Sequence, residues 1–66
     1  MKIRYDPQAD TLTLVLRATP VHESDDGKPG VILDYDRERK LVGIEILNAS
    51  SCVDNPNVVS LIVGSA

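Results

Sequence analysis

Polar and apolar residues alternate with a period of two along most of this chain, the spacing of half-buried β-strands. In "KIRY" Ile3 and Tyr5 fall on one face, with Lys2 and Arg4 on the other. In "TLTLVLR" Leu12, Leu14 and Leu16 oppose Thr11, Thr13, Val15 and Arg17. The intervening "DPQAD" reads as a hairpin loop. Pro7 fixes its own φ and pushes Asp6 toward an extended conformation. After "ATP", the polar segment "VHES" predicts a third strand at an edge, and "DDGKPG" is turn punctuation. "VILDY" predicts a fourth strand, with Val31, Leu33 and Tyr35 on one face and Ile32 and Asp34 on the other. "LVGIEIL" predicts a fifth. Gly43 within it points to a bulge or to close approach by another backbone. "DRERK" between these two strands has the length of a hairpin loop, so this knot of charge turns the chain.

The tail is read differently. "NASS" has the composition of a helix start, and Asn55-Pro56-Asn57 would interrupt such a helix early. "VVSLIV", rich in β-branched residues, favours a sixth strand, with a short helix as the alternative. The expected fold is therefore mainly β. It is a small antiparallel sheet, a meander of five or six short strands, in a single domain spanning residues 1–66. Strands four and five carry aliphatic residues on both faces, which calls for a cover on the second face as well. The C-terminal segment, a second subunit or both could supply it.

Composition sharpens this picture. A 66-residue chain without Trp or Phe must build its core from Leu, Ile and Val. So small a core is marginal, and such domains usually rely on a staple, a metal or a partner subunit. Cys52 is the only cysteine, which excludes an internal disulfide and fits a reducing compartment. The start "MKIRYDPQAD" has no apolar signal-peptide core, and no apolar run approaches the ~20 residues of a membrane helix. The expectation is a soluble cytoplasmic protein that forms a homodimer, with no membrane contact. The net charge of −3 and the scatter of the basic residues argue against direct nucleic-acid binding.

The order of motifs "YDPQADTL", "GVILDYD" and "GIEILNAS" resembles a widespread prokaryotic family of small proteins, domain of unknown function 2283. The resemblance runs from Tyr5 to about Ser50. Many members continue after "AS" with a basic or helical segment, whereas here "SCVDNPNVVSLIV" follows. The resemblance implies no activity, cofactor or catalytic residue. It implies, by association, a role as the smaller partner in two-gene modules of toxin–antitoxin type. The nearby-encoded partner would be a small RNase-like toxin.

Each chemical candidate has a plainer reading beside it. Glu23, Asp25 and Asp34 could supply oxygens to a divalent cation, because strands three and four are neighbours; a solvated acidic edge that deters aggregation explains the same residues. His22 and Cys52 could form a dyad, but nothing in the sequence orients them. "GKPG" around Lys28 lacks the strand–loop–helix context of a phosphate loop. Asp6 and Asp10 bracket the first loop, where turn-shaping hydrogen bonds are the default. Tyr5 and Tyr35 read as half-buried aromatics with wet hydroxyls. The expectation is a non-enzymatic protein-interaction module without cofactor. The alternative is a small-ligand or divalent-metal-binding domain that uses the acidic strand edge.

Overall fold

The computed structural model describes residues 1–56. Five strands form one antiparallel sheet: β1 (Lys2–Asp6), β2 (Thr11–Val15), β3 (Glu23–Lys28), β4 (Val31–Tyr35) and β5 (Leu41–Leu47). A single helical turn, α1 (Ala49–Cys52), follows β5. The expected strand 58–63 lies outside the described residues. The mainly β, antiparallel reading holds.

The spatial order is β1-β2-β5-β4-β3. Three of the four connections join neighbours, as in a meander. The fourth leaves β2, passes the ends of β5 and β4, and enters β3 at the far edge. It is tied down as it goes: Leu16 and Arg17 donate their backbone N–H groups to Val42 O at 2.7 and 3.2 Å, and His22 N–H donates to Tyr35 O at 2.7 Å. With the chain between them so anchored, β5 can fill the place beside β2.

β3 departs from the expected bounds. It begins at Glu23, after Val21 and His22, and runs through Asp25, Asp26, Gly27 and Lys28. Pairing decides this. Asp25 faces Leu33 and Asp26 faces Ile32, and the register shift between Asp26 and Lys28 absorbs Gly27. Tertiary pairing thus overrides the turn propensity of Asp-Gly. The turn shrinks to Pro29-Gly30, with Gly30 at φ 83°.

Register sorts the side chains onto two faces. On one, Ile3, Leu14, Ile44 and Leu33 form a row across β1, β2, β5 and β4, and Tyr5, Leu12, Ile46 and Val31 form the next. The opposite face carries Arg4, Thr13, Glu45, Ile32 and Asp26 in one row, and Lys2, Val15, Gly43, Asp34 and Ser24 in another. The second face is therefore more polar than the sequence pattern suggested. On that side the crossing connection and the sheet bound a shallow cavity of about 340 Å³, lined in part by Thr13, Val15, Pro20, Asp34 and Gly43.

Gly43 fulfils both of its expected roles. The register passes from Asp34↔Gly43 to Tyr35↔Leu41, leaving Val42 as the extra residue of a bulge. A Cβ on Gly43 would lie 2.8 Å from Leu14 O. Among the described residues the buried apolar side chains are few: Leu12, Val42 and Ala49.

Candidate functional site

Among the described residues, three polar clusters and one apolar face are the features from which a function could be built. The first cluster closes the β4–β5 hairpin. Asp36, 5 % exposed, accepts the backbone N–H groups of Glu38 (2.8 Å) and Lys40 (2.9 Å) on Oδ1, and Arg17 Nη1 on Oδ2 (2.8 Å). The Lys40 amide, with the Arg17 and Glu38 donors, holds its carboxyl below the usual range. The chain closes with Asp36 N–H donating to Lys40 O at 3.0 Å, and Arg39 takes a left-handed conformation at φ 63°. That is a three-residue hairpin loop with its left-handed residue last. The charge of "DRERK" turns the chain, and the one buried carboxylate directs the turn.

The second cluster joins the first loop to α1. Asp10 Oδ1 accepts Tyr5 Oη at 2.7 Å and Ser50 N–H at 3.0 Å, and its Oδ2 accepts Ser50 Oγ at 2.6 Å. Ala49 N–H donates to Asp10 O at 2.9 Å. The Ser50 hydroxyl and then the Tyr5 hydroxyl lower the Asp10 carboxyl, and the bond to Asp10 raises the Tyr5 phenol. Asp6 accepts the N–H groups of Gln8 (3.0 Å) and Ala9 (3.4 Å), the expected Asx-type turn. The Asp10–Ser50 link spans 40 residues and has no local signature.

The third cluster sits mid-sheet on the polar face. Asp34, 8 % exposed, accepts Ser24 Oγ at 2.6 Å. Glu45 lies diagonally across β4 and β5, and hydrogen bonding with Asp34, then burial, raise its carboxyl. Sequence spacing does not reveal this pair; it depends on register across two strands.

The metal candidates do not converge. Glu23 and Asp25 pair with Tyr35 and Leu33, whereas Asp34 pairs with Ser24. Alternation therefore sets Asp34 on the opposite face from Glu23 and Asp25. No group of three His, Cys, Asp or Glu side chains suited to a cation occurs among the described residues. His22 and Cys52 are also apart. His22 binds at the Tyr35 end of the sheet, while Cys52, exposed, follows the Leu47 end of β5. The length of β5, about 20 Å at ~3.4 Å per residue, separates those ends. Lys28 ends a strand and leads into a hairpin turn, not a helix.

The apolar face is the remaining feature. Of its two rows only Leu12 is buried; the other seven residues are partly exposed. The substantial contacts between described elements are those of neighbouring strands, with none stacked over this face.

A family model for proteins of unknown function, DUF2283, matches residues 2–50 of the 66-residue chain. The chain belongs to this family. The DUF2283 match covers all five strands and the Asp10–Ser50 link, so the residues that define it here are those that build and fasten the sheet. Neither curated proteins nor solved structures yield a match. No helix among the described residues is long and apolar enough to cross a membrane.

Proposed function

We propose that this DUF2283 protein is a non-enzymatic protein-interaction module that forms a homodimer through the apolar face of its sheet. The observation that carries the reading is the pair of rows across four strands, seven aliphatic residues and Tyr5, of which all but Leu12 stay partly exposed. A chain this small gains most of its missing burial by association. The three polar clusters support the non-enzymatic part: each is consumed in fastening backbone or side chains of the fold itself. The exposed thiol of Cys52 fits a cytoplasmic setting. In the fuller form of this reading, the dimer is the antitoxin-like half of a two-gene module and its partner is an RNase-like toxin. Co-expression with the adjacent gene product, followed by co-purification and an RNA-cleavage assay, tests that form.

The direct test is sedimentation equilibrium of the wild type and of Leu14→Asp. Leu14 lies mid-row between Ile3 and Ile44, so a carboxylate there would be desolvated at the interface. The expected result is a wild-type dimer at micromolar concentration and a monomeric variant. A wild type that stays folded and monomeric at high micromolar concentration refutes the homodimer, and means that residues 57–66 or nothing cover the face.

A further inference from the structure

β1 forms one edge of the sheet, and among the described residues only β2 pairs with it. Alternate residues of an edge strand turn their N–H and C=O groups away from the neighbour and offer them to another chain. Register fixes what surrounds those groups. Lys2 and Arg4, both exposed, lie on the polar face opposite Val15 and Thr13. Ile3 and Tyr5, half-buried, lie on the apolar face opposite Leu14 and Leu12. A cavity of about 680 Å³ opens where β1 begins and β2 ends. Lys2, Arg4, Val15, Arg17 and Ala18 are among its lining residues, and no carboxylate is. Arg17 gives Nη1 to Asp36 Oδ2, yet its side chain is 41 % exposed, so the guanidinium keeps donors for a second partner.

We infer that the β1 edge is a docking site for an extended segment of a protein partner in which acidic and aliphatic residues alternate. Such a segment adds a strand beside β1, with main-chain bonds supplying affinity and alternate side chains supplying specificity. Acidic residues two apart fall beside Lys2 and Arg4, and the aliphatic residues between them continue the rows of Ile3 and Tyr5. The carboxylate at the Lys2 end reaches the cavity and Arg17. A second copy of this chain fits the edge less well. β1 against β1 opposes cations. The acidic strand β3, whichever way its faces are turned, sets a carboxylate beside Ile3 or Tyr5, because Glu23 and Asp25 occupy one of its faces and Asp26 the other. A β1-to-β3 contact is also head-to-tail, which propagates instead of closing a pair. The net charge of −3 and the half-buried row beside the cations favour a peptide over nucleic acid. Addition at the edge leaves the apolar face itself open, so it neither requires nor excludes the homodimer.

Titration of the isotope-labelled full chain with short capped peptides, followed by amide chemical shifts, tests the site. The probe is a peptide of alternating glutamate and valine. The expected result is saturable binding, with shifts centred on Lys2–Asp6 and on residues 15–18. Lys2→Gln/Arg4→Gln alters exposed side chains only, and circular dichroism checks that it keeps its sheet. It is expected to weaken binding about fivefold to tenfold, the effect of two exposed ion pairs. The same peptide N-methylated throughout keeps its charge but cannot donate to a strand, and is expected not to bind. Equal binding of that peptide, of glutarate or of an oligothymidylate overturns strand addition and shows an anion-binding cavity instead. Equal binding of a lysine–valine peptide, or unchanged affinity in the double variant, overturns the charge pattern. Shifts centred on β3, or no shifts at millimolar peptide, overturn the site itself.

Discussion

Replacing Gly43 with alanine adds one methyl group at the most crowded point of the sheet. The new Cβ would stand 2.8 Å from the backbone oxygen of Leu14, with Asp34 Oδ2 at an ordinary 3.6 Å. Close carbon–oxygen approaches in sheets lie at about 3.3–3.6 Å. The oxygen must therefore retreat by roughly half an ångström. It belongs to β2, which pairs with β5 from Thr11↔Leu47 to Val15↔Gly43 and is the strand through which the β1–β2 hairpin joins the rest of the sheet. A flexible side chain cannot swing away to relieve the clash, because the obstacle is backbone. Overpacking of this kind costs about 1–3 kcal/mol. Alanine recovers roughly 0.5–1 kcal/mol of backbone entropy relative to glycine. Taken between the middles of these ranges, the net expected loss is about 1 kcal/mol, against a total stability of about 3–10 kcal/mol for a chain of this size.

Urea unfolding followed by circular dichroism measures the effect. With m near 1 kcal/mol/M, the midpoint should fall by about 1 M. Protein concentration is held equal between variants, since association would add to apparent stability. Gly27→Ala is the internal control. Its Cβ would meet Leu33 Cδ1 at 3.2 Å, the end of a side chain that can rotate, on an exposed edge strand. Its effect should stay within about 0.5 kcal/mol of zero. A Gly43→Ala midpoint equal to or above that of the wild type would refute the account of Gly43 as a glycine demanded by close strand approach.

Three further predictions concern charge and backbone strain. Asp36→Ala should lower the melting temperature at pH 7, because the amides of Glu38 and Lys40 lose their acceptor and Arg17 its partner. The folded carboxyl lies below its ordinary value, so its contribution is complete above about pH 3.9 and is lost as pH falls through the lower folded value; melting curves of wild type and variant should converge there. Glu45→Gln should do the opposite. Its folded carboxyl is raised, so the native state binds more protons than the unfolded chain and stability falls as pH climbs from about 4.3 through the folded value. The variant should be the more stable protein at pH 7 and equal to wild type near pH 4, and a wild type more stable at pH 7 would contradict the Asp34–Glu45 contact. Arg39→Gly should stabilise by about 0.5–1 kcal/mol in urea unfolding, since Arg39 sits at φ 63°, where a side chain is strained and glycine is not.

Alternation made four of the five strands legible, because β1, β2, β4 and β5 each need one face for aliphatic residues. β3 was legible only in part. None of its six residues from Glu23 to Lys28 is apolar except Gly27, so no periodicity marks its length; its bounds come from pairing with β4. The neighbour of β2 was not legible either. Alternation says which residues share a face and nothing about which strand lies alongside, and β5 stands beside β2 because the Leu16–His22 connection is anchored across the sheet end. Local bonds such as Asp6 to Gln8 follow from the motif itself. Contacts such as Asp10 to Ser50 and Arg17 to Asp36 join segments 40 and 19 residues apart and emerge only from the fold.

The placement of the motif residues bears on where function can reside. "YDPQAD" and "NAS" meet at one end of the sheet, where Tyr5, Asp10, Ala49 and Ser50 bond to one another. "LDYD" and the first residues of β5 meet at the other, where Asp36 closes the hairpin and receives Arg17. Between them Gly43 admits the backbone of β2. Tyr5, Asp10, Ser50, Arg17 and Asp36 each spend a side-chain hydrogen bond on another part of the chain. The DUF2283 segment of this chain is therefore a sheet fastened at both ends. Under the interaction reading proposed above, the surface offered to another molecule is the pair of rows headed by Ile3 and Tyr5. On that reading specificity lies in the size of the aliphatic side chains in those rows, which take no part in either fastening.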